Sequence, residues 1–208
     1  MSTIAITGVG GSLGRRLVGR LAAHIEVDRV IGIDRRPPAG VNAPRFTFHD
    51  ADPGTAALDG VLTGVDAVIH LGGLLDPARD DAAQRVRQVD GARRVIEAAG
   101  RVGVPRVVLT SSVLAYGAHP HNDVPLTEDS ELRGLPGFAA AEHAREVERW
   151  LVGWRERNPG TAVAVLRLAL LAGPDLDTMI TRAFEAPRIP VVRGHRPPMQ
   201  FLHPDDAV

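Results

Sequence analysis

The stretch Thr3-Ile4-Ala5-Ile6-Thr7-Gly8-Val9-Gly10-Gly11-Ser12-Leu13-Gly14-Arg15-Arg16-Leu17-Val18 decides how the rest of the chain is read. An apolar β-rich run ends at Thr7, glycines stand at Gly8, Gly11 and Gly14, and a helical pattern opens directly behind them. In a strand-turn-helix unit each glycine has a physical task. Gly8 permits the tight turn, Gly11 lets backbone approach a pyrophosphate, and Gly14 lets the helix pack closely on the strand. The N–H groups of Ser12, Leu13 and Gly14 open that helix and point at the phosphates, with the positive end of the helix dipole behind them.

Twenty residues beyond Gly14, Asp34 ends the next apolar run. A carboxylate there accepts hydrogen bonds from both ribose hydroxyls of an adenosine. A 2′-phosphate would face the same carboxylate, so the pattern favours NAD over NADP. Arg35 and Arg36 keep the alternative open, because an arginine at this point can hold a 2′-phosphate or stack on adenine.

Further along, short β-rich runs over 3–7, 29–34, 45–49, 67–71, 106–111 and 162–168 alternate with longer helical patterns. That order predicts an α/β, Rossmann-like doubly wound parallel sheet with helices on both faces. One helix is expected over 80–103, where Ala83, Val86, Val89, Ile96 and Ala99 fall mostly at spacings of three and four. A second begins near Phe138, carries Ala144, Val147, Leu151 and Trp154, and stops at Asn158-Pro159-Gly160. The polar, proline-containing segment 117–137 is long for a simple connector and reads as a functional loop.

Composition narrows the chemistry. All 24 basic side chains among the 208 residues are arginine, there is no cysteine, and Tyr116 is the one tyrosine. Lysine Schiff bases, thiol nucleophiles and Cys-ligated metals are therefore excluded from these residues. A net charge of −1 leaves no basic footprint for nucleic acid or an anionic membrane surface. Small-molecule partners and a cytoplasmic location are the expectation, since no leader precedes the first strand and the apolar stretch 161–173 carries Arg167 and is too short for a bilayer. The His119-Pro120-His121-Asn122-Asp123 group sits on a proline-broken loop, which is a poor scaffold for metal ligands, so no metal site is expected. Asp80-Asp81 and Asp205-Asp206 read as helix N-terminal carboxylates.

These residues resemble the extended short-chain dehydrogenase/reductases, the NAD-dependent epimerase/dehydratase family, whose glycine motif Thr-Gly-x-x-Gly-x-x-Gly is matched by Thr7, Gly8, Gly11 and Gly14. By resemblance, Asp50 and Ala51 follow the third strand and contact adenine. His70-Leu71-Gly72-Gly73 is similar to the His-Leu-Ala-Ala that passes under the adenosine side, and Gln88 stands where the family has the Asn of Asn-Val-x-Gly. Thr110, Ser111 and Ser112 open a segment like Ser-Ser-x-x-Val-Tyr-Gly that ends in Tyr116-Gly117. Leu168, within Leu166-Arg167-Leu168, resembles the segment beside the nicotinamide, and Phe201-Leu202-His203-Pro204-Asp205-Asp206 is similar to Phe-x-His-Val-Asp-Asp. The resemblance implies NAD as cofactor, a nucleotide sugar or other small molecule as substrate, and a homodimer through the 80–103 helix and the one starting near Phe138. It also implies a cofactor domain over 1–174, with 175–208 as the start of a curtailed substrate lobe.

The departure lies at the family's Tyr-x-x-x-Lys pair. Counting from Ser112 places Phe138 and Glu142 at its two positions, whereas the tail Glu146-Val147-Glu148-Arg149 places Ala140 and Ala144 there. Both alignments lack the pair. The candidates left for proton chemistry are Ser112, Glu142 and His143. Three functions follow: an NAD-binding family member atypical at its active site, a non-catalytic sensor or scaffold ordered by NAD, and an enzyme with substituted acid-base residues.

Overall fold

Parallel strands buried on both faces need apolar side chains in both directions, and the central strand supplies them. In β1 (Ser2–Thr7), Ala5 points into one apolar layer while Ile4 and Ile6 point into the other. The same alternation recurs in β2 (Val27–Asp34), where Val30 and Ile31 face opposite layers. The computed structural model describes residues 2–72, 80–174, 176–189, 191, 193–194 and 198–208.

With β3 (Phe46–Asp50), β4 (Ala67–His70), β5 (Arg106–Ser112) and β6 (Ala162–Leu168), these strands form a six-stranded sheet in the order β3-β2-β1-β4-β5-β6. Every pairing is parallel. This is the doubly wound arrangement, and the strand order reverses between β1 and β4.

Helix α1 (Ser12–Ala22) covers one face through Leu17, Val18 and Ala22. The other face is covered by α2 (Asp59–Leu62), α4 (Gly91–Arg101) and α5 (Ala139–Arg157), which contribute Leu62, Val95, Ile96, Val147, Leu151 and Trp154. Each fully buried side chain of this size contributes about 1.5–3 kcal/mol, so α5 is anchored by the apolar rhythm that marks it in the sequence. It ends at Asn158, whose Nδ2 donates to Trp154 O at 2.9 Å before the Pro-Gly stop.

The single helix expected over 80–103 is interrupted. It runs as α3 (Asp81–Arg85), a π-helical turn over Val86–Asp90, and then α4. The π turn adds a residue to the helical circuit, so Gln88 and Val89 are both buried, and such turns concentrate at functional sites. Asp80 caps α3 as expected, accepting from Ala83 N at 3.0 Å.

Beyond β6, the short strand β7 (Leu170–Leu171) pairs with β8 (Phe201–Leu202), and α6 (Met179–Glu185) lies between them in sequence. The residues after β8 form turns rather than a helix, which corrects the expectation for Asp205-Asp206. Asp205 instead pairs with Arg16 of α1 at 2.6 Å and strings the segment to the first helix.

Candidate functional site

A cleft of about 470 Å³ opens at the carboxyl ends of β1, β2, β4, β5 and β6, across the point where the strand order reverses. Open α/β sheets bind ligands at this place because the diverging loops leave a crevice there. On the β1 side the lining is Thr7, Gly8, Gly11, Ser12, Leu13 and Gly14. Gly8 has φ +82°, and a Cβ on it would come within 2.8 Å of Leu71 O. The N-cap of α1 is Gly11, which has no side chain to cap it, and the first turn carries no acidic residue, so its leading N–H groups face the cleft uncompensated. Ser12 Oγ is buried without a hydrogen-bond partner among the described residues. An anionic, hydrogen-bond-accepting ligand fits that end.

Asp34 stands beside it at the end of β2, lining the cleft with Arg35 and Arg36. Its Oδ2 accepts from Gly10 N at 3.0 Å and its Oδ1 from Arg36 N at 3.1 Å. Two backbone donors thus fix the carboxylate against the glycine turn, with lone pairs left for hydroxyl donors.

Leu71 and Gly72 at the end of β4, and Thr110, Ser111 and Ser112 at the end of β5, form the floor. Thr110 Oγ1 donates to Gly72 O at 3.1 Å, which ties the two strand ends together. Ser112 lines the cleft, and its Oγ also accepts from Leu114 N at 3.2 Å, capping the 3₁₀ turn over Val113–Tyr116. Gln88 from the π turn, His143 from α5 and Leu168 from β6 complete the far wall. Gly73 lies outside the described residues.

Three expected residues are placed elsewhere. β3 ends at Asp50, and the chain then turns at Asp52-Pro53-Gly54, where Asp52 Oδ1 accepts from Gly54 N at 2.8 Å. That turn brings Asp52, Pro53 and Gly54 to the cleft in place of Asp50 and Ala51. The Asp-Pro-Gly turn signal marks the bend in the sequence but not which carboxylate it delivers. Glu142 faces away from the cleft, paired with Arg145 in a groove that also holds Arg93, Glu146, Arg149 and Trp150. The face that α5 presents to the cleft reads Ala140, His143, Ala144 and Val147. Of the two alignments of this helix, the one through Ala140 and Ala144 therefore corresponds to the cleft face, and the one through Phe138 and Glu142 does not. Arg87, Leu171, Leu176, Asp177 and Thr178 also line the cleft without any motif that announces them.

His70, at the end of β4, is a buried side chain in the cleft wall. Its Nδ1 meets Thr7 Oγ1 at 2.6 Å while Nε2 has no partner among the described residues, and burial lowers its pKa to about 4 from the usual 6.5. The folded protein resists a proton that the unfolded chain accepts. The stability that depends on a neutral His70 is therefore full above pH 6.5, is lost progressively as the pH falls from there toward about 4, and is gone below it. The ceiling of this contribution is about 3 kcal/mol. Denaturant unfolding followed between pH 7 and pH 4.5 should lose stability less steeply in His70→Gln than in the unmodified protein. Equal slopes would show that His70 titrates normally.

Among the described residues no group of three or more histidine, aspartate and glutamate side chains could hold a metal ion, and no helix is long and apolar enough to cross a membrane. The model of the NAD dependent epimerase/dehydratase family matches residues 4–208, and the chain belongs to that family. An uncharacterized protein of Mycobacterium tuberculosis is 30% identical over 213 residues, covering 99% of this chain and 57% of the relative. The chain thus spans little more than half the length of such curated relatives. Of solved structures, MoeE5 in complex with UDP-glucuronic acid and NAD is 26% identical with TM-score 0.79, over 99% of this chain and 69% of that one. WbmH of Bordetella bronchiseptica in complex with NAD+ is 26% identical with TM-score 0.74, over 89% of this chain and 62% of that one.

Proposed function

We propose that the cleft binds NAD and that this chain is the cofactor-binding part of a nucleotide-sugar epimerase or dehydratase whose usual Tyr-x-x-x-Lys pair is absent. The observation that carries it is Asp34, held by Gly10 N–H beside the uncapped start of α1. That pairing offers one end of the cleft to ribose hydroxyls and the adjacent helix terminus to a pyrophosphate. When bound, NAD supplies the hydride acceptor. Arg35 does not reverse the preference for NAD, since its guanidinium is drawn to Asp52 at 3.5 Å.

Residues 1–174 form the cofactor unit in this reading, and 175–208 begin the unit that covers the substrate. Leu176, Asp177 and Thr178 support that division, since they reach the cleft from beyond the sheet. A homodimer through α4 and α5 belongs to the same reading. Isothermal titration should give NAD at least about tenfold tighter binding than NADP, because the 2′-phosphate meets a fixed carboxylate. Asp34→Ala should narrow that ratio, and binding of neither dinucleotide would overturn the proposal.

A second reading, a sensor ordered by NAD without turnover, is favoured by the alanines at Ala140 and Ala144 and by the commitment of the one tyrosine. Tyr116 OH donates to Thr127 O at 2.9 Å and accepts from Arg167 at 2.7 Å, outside the cleft. Sustained turnover of any UDP-sugar would remove this reading.

A further inference from the structure

Resting on the NAD reading, we propose that His143 is the catalytic proton acceptor and donor of this site, with Gln88 on the π turn as its positioning residue. Removing a hydride from the carbon of a secondary alcohol leaves the hydroxyl proton to be taken up, and a side chain positioned in the cleft to accept it speeds the step. Among the described residues, the titratable side chains lining the cleft are distributed unevenly. Asp34, Arg35, Arg36 and Asp52 crowd the end of β2 and the turn after β3. His70 Nε2 is closed off from solvent beside Gly72, and Arg87 carries a guanidinium, which donates hydrogen bonds and has no acceptor. Asp177 precedes α6, while His143 stands on α5, over the carboxyl ends of β5 and β6. A dinucleotide that places its adenosine half at Asp34 and crosses the point of strand reversal directs its other half toward that wall.

The ring is held for the task. His143 is buried, and its Nδ1 lies 2.8 Å from Gln88 Oε1. Nδ1–H donating to that oxygen leaves the lone pair on Nε2, the tautomer a proton acceptor needs. The π turn is what brings Gln88 to α5. Apart from Asp81, the carboxylates nearest His143 on α5, α3 and the π turn have partners of their own. Glu146 takes Arg85 and Arg93, Glu148 takes Arg167, Glu142 takes Arg145, Asp90 meets Arg85, and Asp80 caps α3. Asp81 Oδ1 stands 3.8 Å from Nε2, within ion-pair reach of the protonated ring.

The step balances with NAD+ as the oxidant. The carbon's hydrogen leaves with two electrons to NAD+, the hydroxyl proton goes to His143 Nε2, and a carbonyl remains. The reverse step returns both.

The experiment uses the whole chain with NAD+ and a panel of UDP-glucose, UDP-glucuronic acid and UDP-N-acetylglucosamine. Ring ¹⁵N spectra, with the His143 signals identified by their loss in His143→Gln, should show the Nδ1–H tautomer, disturbed in Gln88→Leu. Saturation with NAD+ should move the His143 signals and leave those of the exposed loop residue His121 in place. Turnover of a panel sugar should fall about 100-fold or more in His143→Gln, while NAD+ affinity measured by titration stays within about twofold. If NAD+ binds but the His143 ring signals stay still, or if no panel sugar turns over, the proposal is overturned and the cofactor reading stands. If NAD+ does not bind, it is the cofactor reading that fails, and His143 falls with it.

Discussion

Gly14→Ala is expected to destabilise the fold by about 3 kcal/mol or more, while Gly11→Ala, three residues earlier, leaves stability within about 0.5 kcal/mol and loses the cofactor. A Cβ at Gly14 would lie 2.3 Å from Gly8 O and 2.6 Å from Val9 Cα. Both are backbone atoms, so no rotamer relieves the collision. α1 would have to lift from β1 and open the layer of Ile6, Val9, Leu17 and Val18. At Gly11 the nearest atom to an added Cβ is Gly8 O at 3.4 Å, and the backbone sits at φ −79°, which any residue adopts. The protein itself has no packing reason for glycine there. What remains is the approach of a ligand's phosphate, and a methyl group in that path should weaken NAD binding at least about tenfold. Thermal unfolding reads the first effect and isothermal titration the second. Unchanged NAD affinity in Gly11→Ala would remove the pyrophosphate from this turn, and an unchanged melting temperature in Gly14→Ala would mean that helix and strand do not need their close approach.

How far the sequence carries depends on whether a residue's placement is local. The glycine turn and Asp34 were legible because strand-turn-helix geometry is set within a few residues, and the structure places them around one cleft. The four inner strands were legible because parallel strands covered on both faces read as apolar runs. Asp50 and Asp52 differ by two positions along one acidic stretch, and the turn that selects between them depends on where β3 stops pairing with β2. Glu142 and His143 are neighbours in sequence, yet 100° apart around α5, so which of them meets the cleft follows from how Val147, Leu151 and Trp154 seat the helix. The π turn has no distinctive residue pattern, because it arises where Gln88 and Val89 both find burial against the neighbouring elements. Asp177 and Thr178 come to the site through the pairing of β7 with β8, a contact between residues about thirty apart that no motif records.

Glu148→Ala should cost about 3–5 kcal/mol, the range for leaving one member of a buried ion pair alone, which lowers the melting temperature by about 6–20 °C. Glu148 is 7% exposed, and its Oε2 takes Arg167 Nε at 2.9 Å and NH2 at 2.8 Å, while Oε1 accepts from Ser111 Oγ. Arg167 continues outward. Its NH1 donates to Tyr116 OH at 2.7 Å and Glu128 O at 2.8 Å, and its guanidinium lies 4.9 Å from the centre of the Tyr116 ring. One carboxylate therefore fastens α5 to β5 and β6 and, through the arginine, holds the segment 117–137 against the sheet. The two roles separate in a double variant. Glu148→Leu with Arg167→Met removes both charges and replaces them with apolar volume, so most of the stability should return, as buried pairs replaced together usually allow. The anchor on Glu128 and Tyr116 does not return. Hydrogen exchange at the amides of Ser130 and Gly134, which bond to Thr127 O and Ala115 O, should stay faster than in the unmodified protein even where the melting temperature has recovered. Exchange restored along with stability would mean that the segment holds itself and that Arg167 serves Glu148 alone.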